Sequence, residues 1–271
     1  MKRSSKQTVV IQTGMGCSFY DWLPIIEKLS QHFTVVSYHR PGYGKSELGN
    51  HSRTTLQATK ELHTLLEKLD IYEPIILIGH SYGGLCAQHF AMLHEDMLRA
   101  LILVDSTSMN LHRLDELHLP ISDQTDSDDI WLKKYNTYSK MDVNMLYNEL
   151  KPMLANQSRQ QIDFSTSPSL YKTTASELSE WKNCALSLKE LYKTLEIPLI
   201  VIGRDPHYSI TQLTEGGMPK DEATQLESMW QELVHEQLQL SIHSQYILAE
   251  HAGHGIESDR PDIIIEAIQS L

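Results

Sequence analysis

Short apolar runs rich in β-branched residues recur along the chain. Stretches with apolar positions at helical spacing separate them. Thr8–Gln12 (TVVIQ), Phe33–Tyr38 (FTVVSY), Pro74–Gly79 (PIILIG) and Ala100–Asp105 (ALILVD) read as strands. Trp22–Gln31 reads as a helix through Leu23, Ile26 and Leu29, and Thr55–Leu69 as another through Leu62, Leu65, Leu66 and Leu69. A third helix, Tyr82–His94, follows the third strand. The pattern returns near the end: strand Pro198–Gly203 (PLIVIG), a long helix over Glu222–Leu240, strand Ser244–Ala249 and a closing helix over Arg260–Leu271. The long helix carries Leu226, Met229, Trp230 and Leu233 as its apolar stripe. Continuously apolar strands alternating with helices predict a parallel sheet covered on both faces.

Ser106–Glu196 differs. It has no strand-like run, and helical patterns lie around Ile130–Tyr138, Met141–Leu154 and Ser176–Leu195. Polar sequence between them includes the acidic cluster Asp123, Asp126, Asp128 and Asp129. The expected organisation is a core formed by 1–105 and 197–271, interrupted by a helical cap, or lid, over 106–196.

Composition narrows the class. The 271 residues are 41% hydrophobic and 21% charged, enough for one core with a small insertion. The longest clean apolar runs, such as Ile75–Ile78 and Leu101–Val104, are far too short to cross a bilayer. Met1–Gln7 is a short basic tail that runs directly into a strand, with no apolar stretch of signal-peptide length between them; a cytoplasmic protein is expected. The net charge of −12 argues against non-specific binding to nucleic acid or to an anionic membrane. Cys17, Cys86 and Cys184 are odd in number and widely spaced, so reduced thiols are expected rather than a disulfide framework or metal motif.

Gly79-His80-Ser81-Tyr82-Gly83-Gly84 has the form G-x-S-x-G, follows the strand PIILI and precedes the helix YGGLCAQHFAML. That is the context of a nucleophile elbow. The tight strand-to-helix turn holds the Ser81 hydroxyl clear at the C-terminal edge of the sheet, where open α/β sheets bind ligands. Side chains at Gly79 or Gly83 would clash with the crossing chain. A helix N-terminus beneath the serine favours developing negative charge.

Four blocks in order resemble the α/β-hydrolase superfamily over nearly the whole chain. Thr13-Gly14-Met15-Gly16, followed by Trp22, looks like the oxyanion loop. Arg40-Pro41-Gly42-Tyr43-Gly44-Lys45-Ser46 looks like the R-x-G-x-G-x-S turn. GHSYGG is the elbow, and Ala252-Gly253-His254-Gly255 looks like the catalytic histidine turn. The resemblance implies Ser81 as nucleophile, His254 as proton shuttle, and backbone N–H groups of Met15 and Tyr82 as the oxyanion hole. Thr13 stands where family members often have histidine, and His39 where an aspartate is usual.

His254 is preferred among fourteen histidines because it lies in a Gly-flanked loop between the last strand and the closing helix, on the sheet edge that carries Ser81. His251 lies closer to the strand end. His80 is turned away from Ser81 by the elbow and is read as structural. His251 and His254 have no third metal ligand at a recognisable spacing. No metal or organic cofactor is expected.

The orienting acid has two candidates at strand ends. Most family members place it three residues beyond a glycine after the later strand; here that position is Pro206, and Asp205 is one residue early. Pro206 stiffens the turn, and the loop that follows to Asp221 looks unusually long. A minority of the family, which this sequence looks closest to, places the acid after the earlier strand, where Asp105 stands. The triad expected is Ser81, Asp105 and His254, with Asp205 the alternative.

The family usually begins with an antiparallel pair of strands, and only seven residues precede Thr8. The resemblance then implies six parallel strands with Phe33–Tyr38 at an edge. An exposed edge invites pairing, so a homodimer, or else an N-terminally shortened product, is a further expectation.

The function implied is a carboxylesterase-like serine hydrolase acting on a small-molecule ester or related acyl bond. A proline-iminopeptidase-like aminopeptidase would need cap carboxylates such as Asp115, Glu116, Asp123 or Asp128 to hold a substrate amine. Lactone, C–C bond and acyltransferase chemistry use the same triad. A non-catalytic ligand-binding protein on this scaffold would be expected to lose triad members or elbow glycines. Serine at the elbow argues against epoxide hydrolase chemistry, which uses aspartate there. Trp131, Tyr135, Tyr138, Tyr171 and Trp181 either line the acyl pocket or pack the cap.

Overall fold

A computed structural model describes residues 6–271, so most of the basic tail Met1–Gln7 lies outside the described residues. Six strands form one parallel sheet: β1 (Thr8–Gln12), β2 (Thr34–Ser37), β3 (Ile75–His80), β4 (Leu98–Val104), β5 (Leu195–Arg204) and β6 (Ser241–Ala249). Their spatial order is β2-β1-β3-β4-β5-β6, with β2 and β6 at the edges. The expected parallel sheet and the edge position of the second strand are both present.

The continuous apolar runs have a direct cause. Successive side chains alternate faces, and both faces are buried. On one face, Val10, Leu77, Leu101, Leu103 and Val201 pack with α2 (Thr55–Lys68), α3 (Tyr82–Leu93) and α9 (Lys220–Glu236). On the other, Val9, Ile11, Ile78, Ile102 and Ile202 pack with α1 (Leu23–Leu29) and α11 (Pro261–Gln269). Each fully buried aliphatic side chain contributes about 1.5–3 kcal/mol relative to exposure.

Between β4 and β5 lie α4 (Asp128–Tyr138), α5 (Val143–Leu150), α6 (Arg159–Ser165) and α7 (Pro168–Glu190). The sequence pattern shows no α6 and starts α7 eight residues late. Local signals for both exist. Ser158 and Gln161 close a capping box, and Pro168 occupies the first turn of α7. Tyr43, Tyr138, Phe164 and Tyr171 share a third apolar cluster with Leu146 and Leu150. Tyr138 and Tyr171 therefore pack the inserted helices. β5 starts at Leu195, two residues inside the range assigned to the insertion.

The long loop expected after Asp205 is instead a helix, α8 (Pro206–Glu215). Asp205 is its N-cap, accepting from the N–H groups of His207 and Tyr208, and Pro206 sits in the first turn. A short α10 (Ile256–Asp259) precedes α11. No described helix is long and apolar enough to cross a membrane.

Candidate active site

Ser81 stands between β3 and α3 with φ 53° and ψ −126°. Only four described non-glycine residues have positive φ, and Ser81, Asp105 (38°) and His251 (63°) are three of them. Such strain persists only where surrounding structure imposes it. At the elbow the imposition is steric. A Cβ on Gly79 would lie 2.6 Å from the Gly83 carbonyl oxygen, and one on Gly83 would lie 2.3 Å from that of Gln12. The chain can cross itself there only with glycine at both positions.

Asp105 follows β4 and is fully buried. Its Oδ2 is 2.5 Å from His254 Nδ1 and accepts from Arg204 at 3.2 Å, while its Oδ1 accepts from Trp230 Nε1 at 2.9 Å. Burial alone would raise its pKa. The Arg204 charge and the bonds from His254 and Trp230 outweigh burial and hold it at about 2. Arg204 is itself paired with buried Glu227, which also accepts from Ser209 Oγ at 2.7 Å. With Nδ1 committed to Asp105, Nε2 is the imidazole nitrogen that this bond leaves free.

Asp205 lies elsewhere. Its Oδ1 caps α8, and its Oδ2 accepts from the His251 N–H at 3.0 Å. These backbone N–H bonds, that from His251 foremost, lower its pKa. It braces the histidine loop from outside, and its hydrogen bonds go to backbone N–H groups rather than to the imidazole of His254. Gly253 N–H donates to Asp259 at 2.8 Å, bracing the same loop.

His80 does more than the sequence shows. Its Nε2–H donates to the His254 carbonyl at 2.9 Å, and the two rings are 4.9 Å apart. The residue before Ser81 thus holds the backbone of His254. Trp230, Arg204 and Glu227 are also missing from the sequence reading of the site. Trp230 counts there only as part of an apolar stripe, although its indole N–H needs a buried partner.

The loop after β1, expected from the sequence to be the oxyanion loop, packs directly on the serine: a Cβ on Gly14 would lie 3.3 Å from Ser81 Cβ. Thr13 Oγ1 donates to the Cys17 carbonyl at 3.2 Å, and Cys17 N–H to Gly14 O at 3.3 Å, closing the turn around Met15. Tyr82 opens α3, so its N–H has no intrahelical acceptor. His39, in place of the usual aspartate, bonds Ser18 Oγ at 2.8 Å, and burial pushes its pKa down to about 4.

A cleft of about 500 Å³ opens beside His254, walled in part by α8 through Gln212 and Leu213. It shares Ser122, Asp126 and Met218 with a second cleft of about 510 Å³ under the inserted helices. Asp115, Asp123, Asp128 and Trp181 line the second cleft, and Lys182 pairs with both Asp115 and Asp128. No group of three or more His, Cys, Asp or Glu among the described residues is arranged to hold a metal ion.

Comparison with known proteins agrees with this architecture. The family model described as alpha/beta hydrolase fold matches residues 7–202. The protein YqjL of Bacillus subtilis (strain 168) is 33% identical over 104 residues, which are 38% of this chain and 41% of YqjL. A soluble epoxide hydrolase of Corynebacterium sp. (strain C12) is 29% identical over 117 residues, 42% of this chain and 40% of that protein. The matches thus span about two fifths of the length of these curated relatives. A thermophilic esterase from Thermogutta terrifontis has a similar structure, with TM-score 0.65 at 19% identity over 98% of this chain and 91% of that one. At that identity the likeness speaks to fold alone. With the family model matched from β1 into β5, the elbow included, the chain belongs to the α/β-hydrolase fold family.

Proposed function

We propose that this protein is a serine hydrolase that cleaves a carboxylic ester or related acyl bond through an acyl-enzyme on Ser81. The observation that carries the reading is the 2.5 Å contact between buried Asp105 and His254, formed beside a serine held in strained backbone on a nucleophile elbow. Ser81 Oγ attacks the acyl carbon as His254 Nε2 takes its proton. Asp105, ionised at any pH well above 2, stabilises the imidazolium. Charge on the acyl oxygen is met by the N–H groups of Met15 and Tyr82, each such donor being worth about 10²–10³ in rate. The leaving alcohol departs with the proton from His254. Water then attacks the acyl-enzyme, giving its proton to His254, which passes it to the departing Ser81 Oγ as the carboxylic acid is released. The chemistry requires neither metal nor organic cofactor.

Similarity to an epoxide hydrolase does not carry that chemistry over, because serine stands at the elbow. The aminopeptidase alternative is weakened by Lys182, which engages two of the carboxylates that would hold a substrate amine. A cap role for 106–196 belongs to the same proposal and is supported by the cleft that residues 121–126 of that segment form with His254. So does a cytoplasmic setting, supported by three free thiols. A fluorophosphonate probe tests the proposal: the wild type should be labelled and Ser81→Ala should not. A wild type that resists labelling would sink it. Esters and aminoacyl compounds assayed side by side would then separate esterase from aminopeptidase.

A further inference from the structure

The oxyanion loop is tied to the inserted helices by a buried network that the mechanism above does not use. Arg40 is 2% exposed, and its two terminal nitrogens donate to Thr13 O at 2.6 Å and Gly14 O at 3.1 Å. The same guanidinium donates to both oxygens of Glu177 on α7, at 2.8 and 3.0 Å. Tyr43 OH donates to Glu177 Oε2 at 2.5 Å and accepts from the Gly16 N–H at 3.0 Å. Backbone groups on both sides of Met15 are therefore held by two side chains, and both side chains converge on one carboxylate. Glu177 is 1% exposed and Tyr43 fully buried.

We infer that Glu177, acting through Arg40 and Tyr43, is a positioning residue for the oxyanion hole: it fixes the Met15 N–H where negative charge develops. The inference rests on the acyl-transfer reading above. Its physical basis is preorganisation. A donor stabilises a transition state only if its direction is set before charge appears, and a turn flanked by glycines does not set that direction by itself. Glu177 is the anion of this network, so its charge also holds the planar Arg40 fork in place against the two loop carbonyls.

Glu177→Gln leaves Arg40 without a buried counter-charge and can unfold the protein, so Tyr43→Phe is the decisive variant. It keeps the ring and removes only the hydroxyl. Three measurements are compared with wild type: turnover of a short p-nitrophenyl ester, affinity for an alkyl boronic acid that forms a tetrahedral adduct with serine, and amide hydrogen exchange over residues 13–17. The expected result for Tyr43→Phe is a fall in kcat of about tenfold or more with KM held within about threefold. Boronate affinity should fall by a similar factor, and exchange over 13–17 should quicken. Where Glu177→Gln folds, its losses should be larger in the same direction. A folded Tyr43→Phe with kcat and boronate affinity within about twofold of wild type would overturn the inference, as would a change confined to KM. Failure of the underlying reading looks different: wild type itself would resist fluorophosphonate and hydrolyse no ester, and the positioning role would fall with it.

Discussion

The hydrogen bonds at Asp105 and Asp205 decide what the two carboxylates do. Asp105 receives the imidazole, the Arg204 guanidinium and the Trp230 indole, whereas Asp205 receives backbone N–H groups. Asp105→Asn is expected to lower kcat on a p-nitrophenyl ester by about 10³–10⁴, because an amide at that position favours the wrong imidazole tautomer. Asp205→Asn should cost less than about tenfold, through looser bracing of the histidine loop. If only Asp205→Asn is severely impaired, the acid assignment is wrong. Asp105 also makes stability depend on pH in a defined direction. Its pKa falls from 3.8 to about 2 on folding, so its ionised form stabilises the fold above about pH 4 and that stabilisation is lost as pH drops through 2. Urea midpoints of wild type and Asp105→Asn should therefore be furthest apart above about pH 4 and converge toward pH 2. A gap that stays constant over that range would contradict the ionised, paired state of Asp105.

Helix α8 shows how an element can hide in a sequence. Its segment PHYSITQLTE has too few apolar residues for a clear stripe, and the eye goes to the acid that precedes it. Yet Asp205-Pro206 is an N-cap followed by proline in the first turn, a start signal in its own right. The helix matters to the site because it walls the cleft beside His254. Asp205→Ala removes the cap and should destabilise the protein by about 0.5–2 kcal/mol, read from the shift of a urea midpoint. A shift of zero would mean that water replaces the cap without cost. Within α9, Trp230 illustrates the opposite difficulty. Its apolar stripe is legible, but the stripe does not say that the indole N–H reaches across to β4.

At the scale of the molecule, the helices between β4 and β5 are not a detached lid. Cys184, Ala185 and Leu188 of α7 belong to the main core cluster with Leu101 and Leu199 of the sheet, and Leu188 is fully buried. Glu177 of the same helix is ion-paired to Arg40 of the core. Insertion and sheet are thus expected to melt in one cooperative transition, followed together by calorimetry and by near-ultraviolet circular dichroism. Leu188→Ala should shift that single transition by about 2–5 kcal/mol. Two separate transitions, with only the first displaced by the substitution, would show an independent cap instead.

Periodicity and short-range chemistry carry much of this protein. Fully apolar strands of alternating face announce a doubly covered parallel sheet, and Gly79-His80-Ser81-Tyr82-Gly83 announces its elbow, because both depend on contacts within a few residues or on one repeating geometry. His254 is legible for the same reason, as a residue in a glycine-flanked turn at a predictable edge. The partners of Asp105 are of another kind. Arg204, its own partner Glu227, and Trp230 lie roughly a hundred or more residues away in the chain; the pairing of β5 with β4 brings Arg204 to Asp105, and the packing of α9 against β5 brings Glu227 and Trp230. The tether from Glu177 through Arg40 to the Thr13–Gly16 loop spans a similar distance. Local sequence can specify a turn, a cap or a stripe, but a buried charge finds its counter-charge through the tertiary fold, since nothing in the intervening chain encodes their separation.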